Sequence, residues 1–213
     1  MERFQVNYEG VLTVYYNDDK KVTEITVPDN VKRIDFDVFN EYRNIHTVIL
    51  PDSFPVINDY TFDNMQIGSG GRVHTSVQTI IYRGVTFKTS LYMRTVFEMI
   101  RDKDYSCVLD HNVKYPVVLQ IYFNDGDDVT TAYIKKNFRK FFVFLINELY
   151  VKNRLGFTLY IKDAFNIIER LVKSGKFITK RNINTYIKLA DEKECHEVFD
   201  MLIEYKDADY GKF

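Results

Sequence analysis

The sequence predicts an α+β fold: a short β-solenoid in the N-terminal half, capped by an all-α region in the C-terminal half. Two observations carry this. A unit is spelled twice, 23 residues apart, and after Thr89 the apolar spacing changes from the period of strands to that of helices. A unit so short cannot bury its own apolar face and must stack on a neighbour, which leaves a sheet exposed. The expected division is therefore a repeat domain over residues 1–92 and a helical domain over 93–213.

The first copy runs from Val22 to Ile34 and the second follows in register from Ile45 to Ile57. Val27-Pro28-Asp29 answers Leu50-Pro51-Asp52, Val31 answers Phe54, and Ile34 answers Ile57. Each copy places an aromatic five residues further on, Phe39 and Phe62. Within a copy, Ile25 and Val27 alternate with Glu24 and Thr26, the two-residue period of a half-buried strand. Proline ends that strand because it has no N–H for the ladder. Val31 and Ile34 then return a second short arm over the core, and Phe39 fills its far side.

Before these copies, Phe4 to Tyr8 and Val11 to Tyr16 flank Glu9-Gly10 as a starting hairpin, and residues 17–21 form a polar turn. A degenerate third copy places Val77, Ile80 and Tyr82 where the second has Ile45, Val48 and Leu50. The intervening Gly68-Ser69-Gly70-Gly71 reads as a flexible insertion; no helix pattern or Gly-Lys-Ser/Thr follows, as a phosphate cradle would need.

In the second half, Phe141, Leu145, Ile146 and Leu149 share a helical face, as do Phe165, Ile168, Leu171 and Val172. Thr179 stands where an N-cap belongs before Ile183, Ile187 and Ala190. Val198, Leu202 and Tyr205 mark a last helix. Short loops at Asn124-Asp125-Gly126 and Lys173-Ser174-Gly175-Lys176 make this a stack of helix pairs, able to cover an open solenoid end.

The 23-residue period falls in the range of leucine-rich repeats, roughly 20–29 residues. The blocks Val27 to Ile34 and Leu50 to Ile57, with the opening Gly10-Val11-Leu12 and Val14-Tyr15, resemble BspA-type leucine-rich repeats of bacteria. Phe36-Asp37-Val38-Phe39 and Asp59-Tyr60-Thr61-Phe62 replace the small Ala-Phe ending usual there. The C-terminal half is similar to ankyrin-like helical tails found behind such repeats, on Ala132 to Asn137, Phe177 to Ile183 and Ile203 to Lys206, without the Thr-Pro-Leu-His turn of ankyrins. Both resemblances imply a platform for other proteins and neither implies catalysis.

The residues themselves offer little chemistry. Of the histidines His46, His74, His111 and His196, none lies in a metal-spaced pair, and no Gly-x-Ser-x-Gly or His-Glu-x-x-His occurs. Cys107 and Cys195 match no zinc or redox spacing and read as buried or half-buried thiols of a reducing compartment. Neighbours on a helix point about 100° apart, so Cys195-His196 is a poor nucleophile–base pair and reads as an exposed helical turn. His111 beside Asp110 reads as a solvated Asx turn in a loop. Asp125-Gly126-Asp127-Asp128 lacks the acidic spacing of a calcium loop and reads as a polar turn, with Asp128 starting the next helix. We expect no enzyme activity, no cofactor and no metal.

Composition agrees with a soluble, well-cored chain of 213 residues, 46% apolar and 28% charged. No run approaches the roughly 18 apolar residues of a membrane span. Met1 to Glu9 lacks the charged start and apolar run of a secretory signal, so the expected location is the cytoplasm.

Two surfaces emerge as candidates for binding. If Ile25, Val27, Val48 and Leu50 face the core, then Glu24, Thr26, Thr47, Ile49, Thr79 and Ile81 share the outer sheet face, an apolar-centred patch suited to recognition. It is covered by an external protein, by the helical half, or by a second copy of the chain. The other surface is electrostatic. The formal net charge of −1 conceals a segregation. From Lys135 to Lys188 thirteen Lys/Arg face three acids, net +10, whereas from Leu189 to Phe213 eight acids face three lysines, net −5. Lys135, Lys136, Arg139, Lys140, Arg170, Lys173, Lys180 and Arg181 carry the basic surface, which suits nucleic acid or an acidic partner. The expected function is a non-enzymatic protein–protein interaction scaffold whose partner is unknown. The alternative is a nucleic-acid-binding accessory protein.

Overall fold

A computed structural model describes residues 1–34, 36–39, 41–42, 44–55, 77–88, 93–150 and 164–210. Ile57, Phe62, Gly68, Gly70, Gly71, His74 and the cations Lys152, Arg154 and Lys162 lie outside the described residues. The fold is α+β. Its strands are β1 (Glu2–Val6), β2 (Val11–Asn17), β3 (Glu24–Thr26), β4 (Arg33–Ile34), β5 (Thr47–Leu50), β6 (Thr79–Tyr82) and β7 (Val85–Lys88). The helices are α1 (Met93–Asp102), α2 (His111–Asp125), α3 (Asp128–Tyr150), α4 (Ala164–Lys173), α5 (Ile183–Glu192) and α6 (His196–Tyr210). Two compact units result, Met1–Gly126 and Asp127–Phe213. The first takes in α1 and α2, which the sequence reading placed with the helical half.

β1 and β2 form the expected antiparallel hairpin, with Phe4 opposite Tyr15. The first strand sits two residues earlier than the alternation suggests, because Asn7 leaves it to build the turn. Its side-chain oxygen accepts the N–H groups of Glu9 and Val11 at 3.0 and 2.9 Å. Gly10 ends the turn at φ +81°, where a Cβ would meet the Lys32 side chain at 3.0 Å. The Gly10 carbonyl accepts from the N–H groups of Lys32 and Arg33, which starts the parallel pairing of β2 with β4.

The two copies of the repeat are copies in hydrogen bonding as well as in spelling. The Thr23 carbonyl accepts from the N–H groups of His46 and Thr47, and the His46 carbonyl accepts from those of Gln78 and Thr79, all at 2.8–3.1 Å. The turn after each proline repeats too, with Val31 N–H on the Pro28 carbonyl and Phe54 N–H on that of Pro51. β3, β5 and β6 therefore pair in parallel, Glu24 beside Thr47 beside Thr79. Inside lie Ile25, Val27, Val31, Ile34, Ile45, Val48, Leu50, Phe54, Ile80 and Tyr82, each no more than 3% exposed, so the repeat's apolar positions are its core. Phe39 is buried beside Tyr15, with ring centroids 5.7 Å apart.

β6 turns back into β7 through Arg83 and Gly84, both at positive φ (49° and 70°). Two such residues make the tight turn that matches strand twist. α1 closes this core from below: Phe97 stacks on Tyr82 at 4.1 Å and meets Phe54 edge-on. α2 is capped by Asp110, which accepts the Asn112 N–H at 2.7 Å, so His111 opens a helix and does not sit in a loop. The buried Lys114 of α2 donates to the carbonyls of Tyr105 and Cys107, pinning the segment between α1 and α2.

The second unit is helical. Phe141, Leu145 and Ile146 of α3 and Ile168, Leu171 and Val172 of α4 are fully buried, as the periodicity predicts, while Leu149 and Phe165 are half-buried. An aromatic cluster joins the helices: Phe138 stacks on Phe177 at 5.1 Å, and Tyr186 of α5 meets both Phe138 and Phe142 edge-on. Asp128 is the first residue of α3, as the sequence reading has it, and Asp127 caps that helix by taking the N–H and hydroxyl of Thr130 at 2.9 and 2.7 Å. Asn182, not Thr179, precedes α5, and its side chain turns back to Thr179 N–H and the Phe177 carbonyl. Cys195 is buried, as expected of the thiol itself, so the Cys195-His196 pair is not an exposed turn, although His196 at the start of α6 is exposed.

Candidate interaction surfaces

The parallel register assembles the outer face of the first unit. One row across the strands is Glu24, Thr47, Thr79 and Lys88; the next is Thr26, Ile49, Ile81 and Thr86. Glu24 and Thr26 are exposed and the other six half-exposed, so all six of the expected residues lie together on one accessible face. Sequence reasoning missed Thr86 and Lys88. The signal for them was present in Tyr82-Arg83-Gly84-Val85, a glycine turn between two alternating runs. The face is apolar at its centre, with a carboxylate at one edge and an ammonium at the other.

That face is bounded at one edge by α2. Gln120 accepts the Thr86 N–H at 2.9 Å and donates to the Thr86 carbonyl at 3.0 Å, occupying both backbone groups that a further strand would use. Asn124 donates to the Gly84 carbonyl at 2.8 Å. The side chains of a helix thus take up the outward backbone groups of Thr86 and the Gly84 carbonyl. At the opposite edge β3 pairs with β5, and its three-residue length and Glu24 disfavour edge-to-edge pairing.

In the second unit all eight cations of the expected basic surface are exposed. Lys135, Lys136, Arg139 and Lys140 cluster on α3. Arg139 stands close enough to Tyr186 to oppose, by its charge, the rise in phenol pKa that burial causes. Lys173 is partly neutralised by Glu169 one turn earlier, at 2.6 Å. The thiols are unpaired with one another: Cys195 is buried and Cys107 half-buried, its pKa pushed up by burial. His46 and His196 are exposed, and among the described residues no group of three or more His, Cys, Asp or Glu side chains could hold a metal ion. No described helix is long and apolar enough to cross a membrane.

Residues 13–107 match the BspA type leucine rich repeat region, in six copies. The match covers a little under half of the chain and spans the strands from within β2 through β7, together with α1. The repeat half is thus similar to repeats of this type. No curated protein matches the chain, and no solved structure does.

Proposed function

We propose that the protein is a non-enzymatic protein–protein interaction scaffold, and that its contact surface is the outer face of β3, β5, β6 and β7. The observation that carries this reading is the pair of rows Glu24–Thr47–Thr79–Lys88 and Thr26–Ile49–Ile81–Thr86. Parallel strands in register give side chains a fixed lateral spacing of about 4.8 Å, so a partner meets a preorganised array and little ordering cost attends binding. Ile49 and Ile81 lie side by side at the centre, where a desolvated contact contributes most, and charge is confined to the rim. In this reading the strands are successive turns of a short solenoid, and α3 to α6 form an ankyrin-like array. Two thiols without a disulfide suit a bacterial cytoplasm.

The test is an Ile49→Arg variant, which keeps the buried alternate positions intact while placing a charge at the middle of the face. Tagged wild-type chain retains a protein partner from lysate of its source after nuclease treatment and in high salt; Ile49→Arg loses it by tenfold or more, a penalty of about 1.4 kcal/mol or greater. Equal retention by the variant would remove the sheet face as the contact surface. Circular dichroism of the variant checks that the fold is intact.

A further inference from the structure

The second unit carries two stripes of opposite charge that do not neutralise one another. On α3, Lys135, Lys136, Arg139 and Lys140 are all exposed and fall within an arc of about 140° at 100° per residue. Between them on the same arc lie exposed Ala132 and half-exposed Val143. On α6, Glu197, Asp200, Glu204 and Asp207 are also exposed and fall within an arc of about 80°, at steps of three, four and three residues. Half-exposed Met201 and Ile203 border that stripe. The ion pairs of the unit lie elsewhere among the described residues, between Lys173 and Glu169 and between Lys188 and Glu192. The two stripes therefore present complementary, uncompensated charge with small apolar groups beside it, which is how surfaces that meet one another are built.

We propose that the cation-lined face of α3 docks the acidic stripe of α6 from a second copy of the chain, head to tail. The four acids extend over about 15 Å of helix and the four cations over about 7.5 Å, so one helix laid along the other brings each cation within reach of a carboxylate. Docked head to tail, the contact is heterologous: each copy keeps one free stripe of each sign, and association continues past the dimer unless the rotation closes a ring. This proposal is independent of the sheet face, which lies in the first unit.

The experiment is sedimentation equilibrium on the nuclease-treated full chain, with two charge-reversal variants. One reverses α3 (Lys136→Glu, Arg139→Glu, Lys140→Glu) and the other reverses α6 (Glu197→Lys, Asp200→Lys, Glu204→Lys). Wild type associates at about 0.1 M salt, and its association constant falls tenfold or more by about 1 M, as the screening length shrinks from about 10 to about 3 Å. Each variant alone is monomeric. Mixed together, they associate again in a 1:1 ratio, because one carries only acidic stripes and the other only basic ones. A wild type that is monomeric at both salts overturns the proposal. So does association that survives reversal of α6, or nucleic acid held by the untreated chain through α3 with no effect of the α6 acids. The mixing arm also guards against misfolding, since two misfolded variants would not pair in a fixed ratio.

Discussion

Thr130 and Thr131 stand side by side at the start of α3, and their hydroxyls meet opposite fates. Thr130 donates to Asp127, whereas the Thr131 hydroxyl is buried with no hydrogen-bond partner among the described residues. A buried polar group left unpaired costs about 1–3 kcal/mol, and a methyl of the same shape removes that cost. Thr131→Val is therefore expected to raise stability by about 1 kcal/mol, read as a higher urea midpoint at unchanged slope. Thr130→Val is the contrasting control: it deletes part of a cap and is expected to lower stability by about 1 kcal/mol. This distinction was not legible in the sequence. Two adjacent threonines look alike until the backbone decides which faces the capping carboxylate.

Among the elements, β7 depends most on a neighbour distant in sequence. Its edge is satisfied by Gln120, 34 residues downstream of Thr86. Gln120→Ala leaves one N–H and one C=O of an edge strand open, and Gln120→Leu leaves the same groups open beneath an apolar side chain. We expect either change to cost about 1–2 kcal/mol and to promote aggregation, since open edges template strand pairing. Loss of unfolding midpoint together with faster thioflavin-positive aggregation would be the signature; unchanged aggregation would show the edge to be protected by something else. The elements that sequence reasoning recovered are the ones set by local pattern. β3 and β5 repeat one spelling, and α3 and α4 keep their apolar period. Gln120 follows no pattern at all; its role is created by the packing of α2 on the sheet, and so it could not be read beforehand. The caps fall between these cases. Asp127 and Asp128 are both good N-caps by composition, and only the backbone geometry chooses Asp127.

For the molecule as a whole, tyrosine replaces tryptophan as the large amphipathic core residue, and this sets the alkaline limit of stability. Burial raises the phenol pKa of Tyr15, to about 12, and also those of Tyr82, Tyr186 and Tyr205. A folded-state pKa above the unfolded value, near 10, means that the folded chain resists ionisation. The resulting stability is fully present below pH of about 10 and is lost as pH rises toward the folded pKa. Thermal midpoints are therefore expected to be flat from neutral pH to about 9.5 and to fall steeply between about 10 and 12. Absorbance at about 295 nm should show the tyrosines ionising together with unfolding rather than ahead of it. Since Tyr15 and Tyr82 belong to the first unit and Tyr186 and Tyr205 to the second, both units share the limit.

The glutamine that completes β7 has a consequence for how such an array can lengthen. Parallel repeats grow by adding a strand at an edge, but a strand placed after β7 would have to displace Gln120 and Asn124 from backbone groups they already satisfy. New repeats can be accommodated upstream, by duplication between β3 and β6, where the insertion of another 23-residue unit moves the closing helix outward intact. The terminus of the array is thus inherited as a finished piece, and variation in length falls on the middle of the face that meets a partner.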